Sequence, residues 1–346
     1  MIGTHCAVFS STSTTSRVLR RNGASNWSRL LASALLTLAT LGTGAAYAEY
    51  PDKPIRMIVP QPPGGFNDTV GRLLGKKLSE AWGQPVPVEN QPGAGSQLGT
   101  ANVQRAPADG YSLLVVSFAY GTNLSLRNNL PYDTVKDFTP VIYLGATPNL
   151  LVVNSNSPFK SLQDVLTYAK ANPGKLSYAS SGIGSSPHLS MELMKSMAGI
   201  DLVHVPYKGG APMATDLLGG QVDIMFDNTP NLMPFVKAGK MRALAVTSAT
   251  PSPYAPGVPT VAQAGVPGYE MTAWYGLVVR SGTPAEIVQR LNKQINVSLQ
   301  QTDVRDAFAA QNVEIAGGTP EVFGKFLSEE IDKWAKVIRD GNIRAE

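Results

Sequence analysis

The sequence predicts an α/β protein in which mostly parallel sheets, flanked by helices, are divided between two lobes. Short apolar runs alternate with helical patterns almost throughout residues 50–346. Two loops rich in glycine and serine, at 60–68 and 180–188, each follow an apolar run and precede a helical pattern. The breaks between the halves, at 147–149 and 251–268, are short, which is typical of two lobes of one hinged protein.

The predicted strands are the short apolar runs. They span residues 55–59, 86–89, 112–117, 141–144, 150–153, 202–205, 224–226, 243–246, 276–280 and 313–316. Another run, 176–179, precedes the second loop. Because helical patterns lie between them, these strands form βα units, and ligands of such sheets bind outside the carboxyl ends of the strands.

Helix starts can be recognised at two places. Thr283-Pro284-Ala285-Glu286 has the form of a capping box with proline at the first helical position, and apolar residues follow at helical spacing. Residues 161–164 start another helix. The last helix carries an apolar face from Val322 to Ile338, which predicts that it packs along a core.

The first 48 residues have the features of a secretory signal peptide. They contain four arginines and no acidic residue, then an apolar run at 30–41 and the small-x-small sequence Ala46-Tyr47-Ala48. The run is too short to span a bilayer comfortably. We therefore expect cleavage after Ala48 and a soluble product in the periplasm.

The charge balance changes once this leader is removed. The chain has 29 basic and 25 acidic residues, and four of the basic ones lie in the leader, so the mature chain is formally neutral. Charge thus predicts neither a nucleic-acid nor a membrane partner. The single cysteine, Cys6, also lies in the leader, which excludes a disulfide or a thiolate site in the mature protein. Roughly 300 residues remain, enough for one large domain or two ordinary ones.

The two glycine-rich loops are the strongest functional signal. The first reads Pro-Gln-Pro-Pro-Gly-Gly-Phe-Asn-Asp over 60–68, and the second reads Ser-Ser-Gly-Ile-Gly-Ser-Ser-Pro-His over 180–188. A turn of this kind exposes backbone N–H groups at a helix N-terminus, where the dipole favours negative charge. Two such loops predict an anion held from two sides. Helix capping explains Asn67 and Asp68 equally well, and packing explains Phe66 as well as ligand contact does.

Catalytic groups are sparse by comparison. His188 and Glu192 lie one helical turn apart, but no third ligand is evident, so no metal is predicted. A hydrogen bond to its own loop is the simpler role for His188. The chain has no Gly-x-Ser-x-Gly elbow, and the glycines at 93, 95 and 99 miss the dinucleotide spacing by one residue. The sequence therefore favours binding over catalysis and predicts no cofactor.

Several short motifs follow one another in an order that is specific to one family. They are Pro62-Pro63-Gly64-Gly65 with Asp68 and Arg72, Pro107-x-Asp109-Gly110-Tyr111, Leu130-Pro131-Tyr132-Asp133 with Lys136-Asp137-Phe138, Ser186-Pro187-His188-Leu189, Val205-Pro206-Tyr207-Lys208-Gly209, the segment 216–223, and Trp274-Tyr275-Gly276. From about Tyr50 to Arg339 the chain resembles the Bug family of periplasmic solute receptors of tripartite tricarboxylate transporters. The resemblance implies a type II periplasmic binding protein that closes like a flytrap on a small carboxylate. Its further partners would be the membrane subunits of the transporter, and we expect a monomer.

The resemblance also implies that loop backbone groups, hydroxyls and bridging waters hold the carboxylate. Together with the loops, it gives a predicted set of ligand contacts. These are Gly64, Gly65, Phe66, Asn67, Asp68, Ser117, Tyr120, Ser181, Gly182, Gly184, Ser185, Ser186, His188, Tyr207 and Asp227. Phe66 stands where the family often has a small residue, and Gln61 and Tyr120 are unusual, which leaves the ligand open. If Phe66 and Tyr120 line the cleft, they favour a ligand with an apolar or aromatic body.

The expected organisation is a signal peptide at 1–48, a first lobe of 49–148 and 274–346, and a second lobe of 149–273. Two other classes of protein are alternatives to a receptor. A secreted hydrolase of small esters or amides would need a nucleophile and a base that the motifs do not supply. A cytoplasmic effector-binding domain of a transcription regulator would need a helix-turn-helix where the leader lies.

Overall fold

The computed structural model describes residues 50–345, so the predicted signal peptide lies outside the described residues. Ten strands are found in that part of the chain. They are β1 (Arg56–Val59), β2 (Val88–Asn90), β3 (Ser112–Ser117), β4 (Phe138–Asn154), β5 (Ser177–Ser180), β6 (Val203–Pro206), β7 (Ile224–Asn228), β8 (Met241–Val246), β9 (Thr272–Arg280) and β10 (Glu314–Ile315).

Ten α-helices lie between and after these strands in the same residues. They are α1 (Phe66–Trp82), α2 (Gln97–Arg105), α3 (Phe118–Leu126), α4 (Leu162–Ala171), α5 (Ser186–Ala198), α6 (Gly210–Leu218), α7 (Thr229–Lys237), α8 (Ala285–Leu299), α9 (Thr302–Ala310) and α10 (Pro320–Asp340). Among residues 50–345, none of the helices combines the length and the apolar character that crossing a membrane requires.

The strands follow the order β2-β1-β3-β9-β4-β7-β5-β6, and β8 and β10 pair with β4. β1 runs parallel to β2 and β3, and β5 runs parallel to β6 and β7. The pairs made by β4 and β9 are antiparallel. The two-lobed α/β architecture is thus confirmed, but the prediction of mostly parallel sheets is wrong, because the sheet is mixed. β4 and β9 carry the chain between a first half of the sheet, with β1, β2 and β3, and a second half, with β5, β6 and β7. They therefore do not close a βαβ unit within either half.

The long strand β4 belongs to both halves of the sheet. Its residues up to Pro148 pair with β9, whereas Asn149–Val153 pair with β7. The sequence predicted two separate strands here, at 141–144 and 150–153. Proline has no N–H to donate, so it is tolerated where the strand changes partner. At that point the backbone N–H of Asn149 instead donates to Thr247 Oγ1 at 2.7 Å.

Helix α10 packs against β4 and β9 and explains why residue 276 is a glycine. Phe323, on α10, is fully buried, and its ring lies against β9 at Gly276. A Cβ at Gly276 would lie 2.2 Å from Phe323 Cζ. A side chain at this position would therefore push the helix away from the sheet.

We expect Gly276→Ala to lower the free energy of unfolding by about 1–3 kcal/mol, because overpacking a filled core forces off-rotamer shifts. Urea denaturation measures the change. The matched control is Gly324→Ala on α10, where a Cβ would meet Pro140 at an ordinary 3.6 Å. This control gains helix propensity and should be neutral or stabilising. Equal stabilities of the two variants would contradict the proposed close approach.

Candidate functional site

Helices α1 and α3 follow the carboxyl ends of the parallel strands β1 and β3, and helices α5, α6 and α7 follow those of β5, β6 and β7. The strand register brings the two sets together. Ser117, at the end of β3, is level with Tyr275, and Asn228, at the end of β7, is level with Asn149. Both of these residue pairs lie close to the point where β4 passes from the first half of the sheet to the second. The candidate site is therefore this seam, as expected for an α/β sheet.

The first loop leaves the start of α1 open. Gly65 is the N-cap, and no side chain caps the helix. Gly64 and Gly65 are exposed, and a Cβ on either would meet nothing within 4 Å. The first N–H groups of α1 therefore have no side-chain acceptor in the described residues. An uncapped helix N-terminus beside exposed glycines can bind an anion.

Asp68 supports this loop from behind. Its carboxylate accepts from the Gly64 N–H at 3.0 Å and from Asn90 Nδ2 at 2.9 Å, and it pairs with Arg72 at 2.9 Å. Arg72, followed by the hydrogen bonds from Gly64 and Asn90, lowers the pKa of Asp68 although burial opposes this. The predicted contact of Asp68 with a ligand is corrected to a positioning role, since its oxygens are occupied within the protein.

In the second loop, backbone N–H groups donate to side chains of the same loop. Ser185 Oγ accepts from the His188 N–H, so α5 is capped by its own serine. The Gly184 N–H donates to His188 Nδ1 at 3.0 Å, and the Gly182 N–H donates to Ser180 Oγ at 3.2 Å. The two loops are therefore not equivalent as anion sites. In the second loop, the half-buried Ser181 remains a predicted donor to a ligand, whereas the Ser186 hydroxyl donates to Asn228 Oδ1 at 3.4 Å.

His188 is buried, with 4% of its surface exposed, and its ring stacks on His204 at 4.1 Å. Burial, followed by His204, lowers the pKa of His188 to about 3, so the imidazole is neutral at ordinary pH. A neutral imidazole can accept at Nδ1 the hydrogen bond that the Gly184 N–H donates. His188 thus positions the loop, and its predicted role as a ligand contact is corrected.

Tyr120 is also misplaced by the sequence prediction. It is 3% exposed, its hydroxyl donates to the Thr134 carbonyl at 2.8 Å, and its ring packs edge-on against Phe138. The residue lies within α3, on the face that packs into the core. Ser117, just before it in the chain, accepts from Gln61 Nε2 at 3.3 Å and stays at the seam.

Phe66 and Tyr207 are both half-buried. The Phe66 ring packs edge-on against Tyr275 at 4.5 Å and Phe308 at 5.2 Å. The Tyr207 hydroxyl donates to Asp216 at 2.7 Å. Each is partly exposed, so each remains a predicted contact.

Tyr275 and Asn149 were missed as site residues. Tyr275 packs on Phe66, and burial, followed by the nearby Asp227 carboxylate, raises the pKa of its hydroxyl. It therefore links the first loop to the second half. The buried Asn149 Oδ1 has no hydrogen-bond partner among the described residues, and neither do Gln61 Oε1 and Asn67 Oδ1. Buried oxygens of this kind need a donor from water or a ligand. The Trp274-Tyr275-Gly276 motif was the available signal for Tyr275.

Asp227, at the end of β7, is 5% exposed. It accepts from the Asn228 N–H at 2.8 Å and from Asn231 Nδ2 at 3.1 Å. Burial raises the pKa of its carboxyl to about 6. Like Asp68, it would meet a bound carboxylate with like charge, and its side chain lines a groove between α6 and α7.

One serine–histidine pair bears on the hydrolase alternative. Ser180 Oγ lies 2.6 Å from His204 Nε2. Ser180 is completely buried, however, so a substrate cannot reach its hydroxyl. No group of three or more metal-ligating side chains occurs within residues 50–345.

The fold and the seam define a solute-binding protein with two lobes. The profile of the tripartite tricarboxylate transporter family receptors matches residues 70–343, and the chain belongs to that family. It is 38% identical over 319 residues to protein BugT of Bordetella pertussis, which covers 91% of this chain and 98% of BugT.

Two solved structures from Rhodopseudomonas palustris are similar throughout. Rpa4515 with adipate is 37% identical, with a TM-score of 0.74 over 86% of this chain and 99% of that one. MatC with bound malate is 34% identical, with a TM-score of 0.71 over 84% of this chain and 100% of that one. The expected family is thus confirmed, and the protein is a solute receptor of the Bug type.

Proposed function

We propose that the protein captures a small organic carboxylate between its halves in the periplasm and delivers it to the membrane subunits of a tripartite transporter. The observation that carries this proposal is the start of α1 at the seam, which no side chain caps and where the exposed Gly65 leaves open space. The carboxylates adipate and malate are bound by two similar receptors.

The carboxylate would lie against the backbone of Gly65 and Asn67, and Gly64, whose N–H donates to Asp68, would shape the loop beside them. Hydroxyls of Ser117 and Ser181 would complete its hydrogen bonds, with Gly182, Gly184, Ser185 and Ser186 shaping the far wall. These donors are neutral, as in sites that bind anions through helix N-termini. Phe66, Tyr207 and Tyr275 would contact the body of the ligand.

The halves would act as lobes with boundaries at 148/149 and 273/274. The change of β4 from β9 to β7 at Pro148 supports the first boundary. Closure would bury a ligand to which each lobe supplies only part of the contacts. The receptor would act without turnover and as a monomer, after cleavage of a signal peptide at Ala48.

A panel of ligands tests the proposal by thermal shift, because a ligand that binds only the folded state raises the melting temperature. We expect aliphatic or aromatic monocarboxylates and dicarboxylates to stabilise the protein, and their amides to have no effect. Phe66→Ala should lower the affinity for carboxylates with an apolar body by about tenfold, because one ring contact with the ligand is lost. Stabilisation by amides and acids alike would contradict the proposal, and an unchanged affinity in Phe66→Ala would make that ring a packing residue.

A further inference from the structure

A groove between α6 and α7 holds Asp227, a member of the predicted ligand set that the function proposed above does not use. Its volume is about 460 Å³. The side chains of Ala211, Ala214, Leu218 and Phe235 form most of its apolar wall. Asp227 is the single charged residue among those that line it. The groove thus combines an apolar body with one acidic end.

The charge of Asp227 has no counter-ion in the described part of the chain. Both of its hydrogen bonds come from neutral donors, the Asn228 N–H and Asn231 Nδ2. On α6 the carboxylate lies close to Gly210, which presents only backbone. A Cβ added at Gly210 would lie 2.8 Å from Asp227 Oδ2. From β9 the neutral Tyr275 is close enough for the Asp227 carboxylate to raise the pKa of its hydroxyl. No ion pair with Asp227 occurs among residues 50–345.

Such a carboxylate favours a cation in the groove. Removing a carboxylate from water without a counter-ion is costly, and the pKa of Asp227, raised to about 6, reflects that cost. Two neutral donors also leave some of its lone pairs unused. An ammonium group could donate to Asp227 and to the Thr215 hydroxyl, which lines the same groove.

We propose that this groove binds a primary ammonium compound with a short apolar body, with Asp227 as its counter-ion. The site goes beyond the carboxylate function, because it lies wholly on α6, α7 and the end of β7 and requires no carboxylate on its ligand. Its wall of alanine, leucine and phenylalanine would exclude highly polar cations.

Benzylamine is a suitable probe, and benzyl alcohol is its neutral counterpart of nearly equal shape. Calorimetry on the mature protein should give saturable binding of benzylamine and at least about tenfold weaker binding of the alcohol. Because neither probe is a carboxylate, the result is independent of whether the proposed carboxylate function holds. Equal binding of the two probes, or no saturable benzylamine binding up to about 10 mM, would overturn the proposal.

Three variants locate the binding. Asp227→Asn should lower the affinity for benzylamine by about tenfold or more. Ala211→Leu fills the groove from an exposed helix position and should abolish binding while the protein still folds. Asp201→Asn removes the same charge from an exposed site with 67% of its side chain accessible, and should change nothing. Binding that survives Ala211→Leu would place the amine elsewhere and refute the site.

The pH dependence supplies a separate readout. An alkylamine stays protonated between about pH 5 and about pH 8, so a change in affinity over that range reports on the protein. Benzylamine should bind more weakly as pH falls through about 6, where Asp227 takes up a proton. The Asp227→Asn variant should lose this dependence, and an unchanged slope in that variant would count against Asp227 as the counter-ion.

Discussion

Replacing Gly65 by aspartate is expected to abolish carboxylate binding while making the protein slightly more stable. Gly65 is the N-cap of α1, has φ −85° and has open space around a Cβ, so the new side chain fits without strain. Aspartate would accept from the first N–H groups of the helix and complement its dipole, a gain of about 0.3–1 kcal/mol. The same donors and the same positive field would then be lost to the ligand.

The expected loss of affinity is at least about hundredfold for the strongest carboxylate of the panel, which combines the lost donors with repulsion between like charges. Gly65→Asn caps the helix without adding a charge and should lower the affinity for the same carboxylate by about tenfold. Gln301→Asp is the matched control, because no side chain caps α9 at its N-cap Gln301, and α9 follows the helix α8 instead of a strand that ends at the seam. It should gain stability and keep full affinity. A Gly65→Asp variant that binds as the wild type does would show that the α1 terminus is not the anion site.

The first loop could be predicted because its signal is local. Two glycines between a strand and a helix leave the N-terminus open, and nothing distant in the chain changes this. The second loop has the same composition but a different outcome. Ser185 caps α5, and His188, one turn later, takes the Gly184 N–H. Whether a serine or a histidine turns inward depends on packing against His204, which is remote in sequence.

Errors at Tyr120 and β4 have a related cause. The direction of the Tyr120 side chain depends on which face of α3 meets the core, and that is set by Phe138 on the next strand. Thr147-Pro148-Asn149 reads as a break because proline interrupts a ladder. The strand continues because its pairing partner changes there. Local composition predicts the order of βα units, but it does not predict which distant strands pair.

The burial of His188 predicts a pronounced pH dependence of stability. Its pKa is about 3 in the folded protein and 6.5 as the ordinary value. Between these pH values the unfolded chain binds one more proton than the folded one, so stability is full above about pH 6.5 and is lost as pH falls toward 3. For a well-buried imidazole this loss is on the order of 3–5 kcal/mol. Asp227, whose pKa is raised to about 6, acts in the opposite direction and loses its contribution as pH rises.

His188→Asn separates the two effects, because asparagine Oδ1 can replace Nδ1 as the acceptor for Gly184 but does not titrate in this range. Urea denaturation at about pH 7 and about pH 4 should give a difference in unfolding free energy that is smaller in the variant by about 3 kcal/mol. The contribution of Asp227 is common to both proteins and cancels. NMR titration of the wild type should show the His188 ring resonances unchanged down to about pH 4. A midpoint near 6.5, or parallel pH profiles for the two proteins, would mean that the second loop does not depend on a neutral His188.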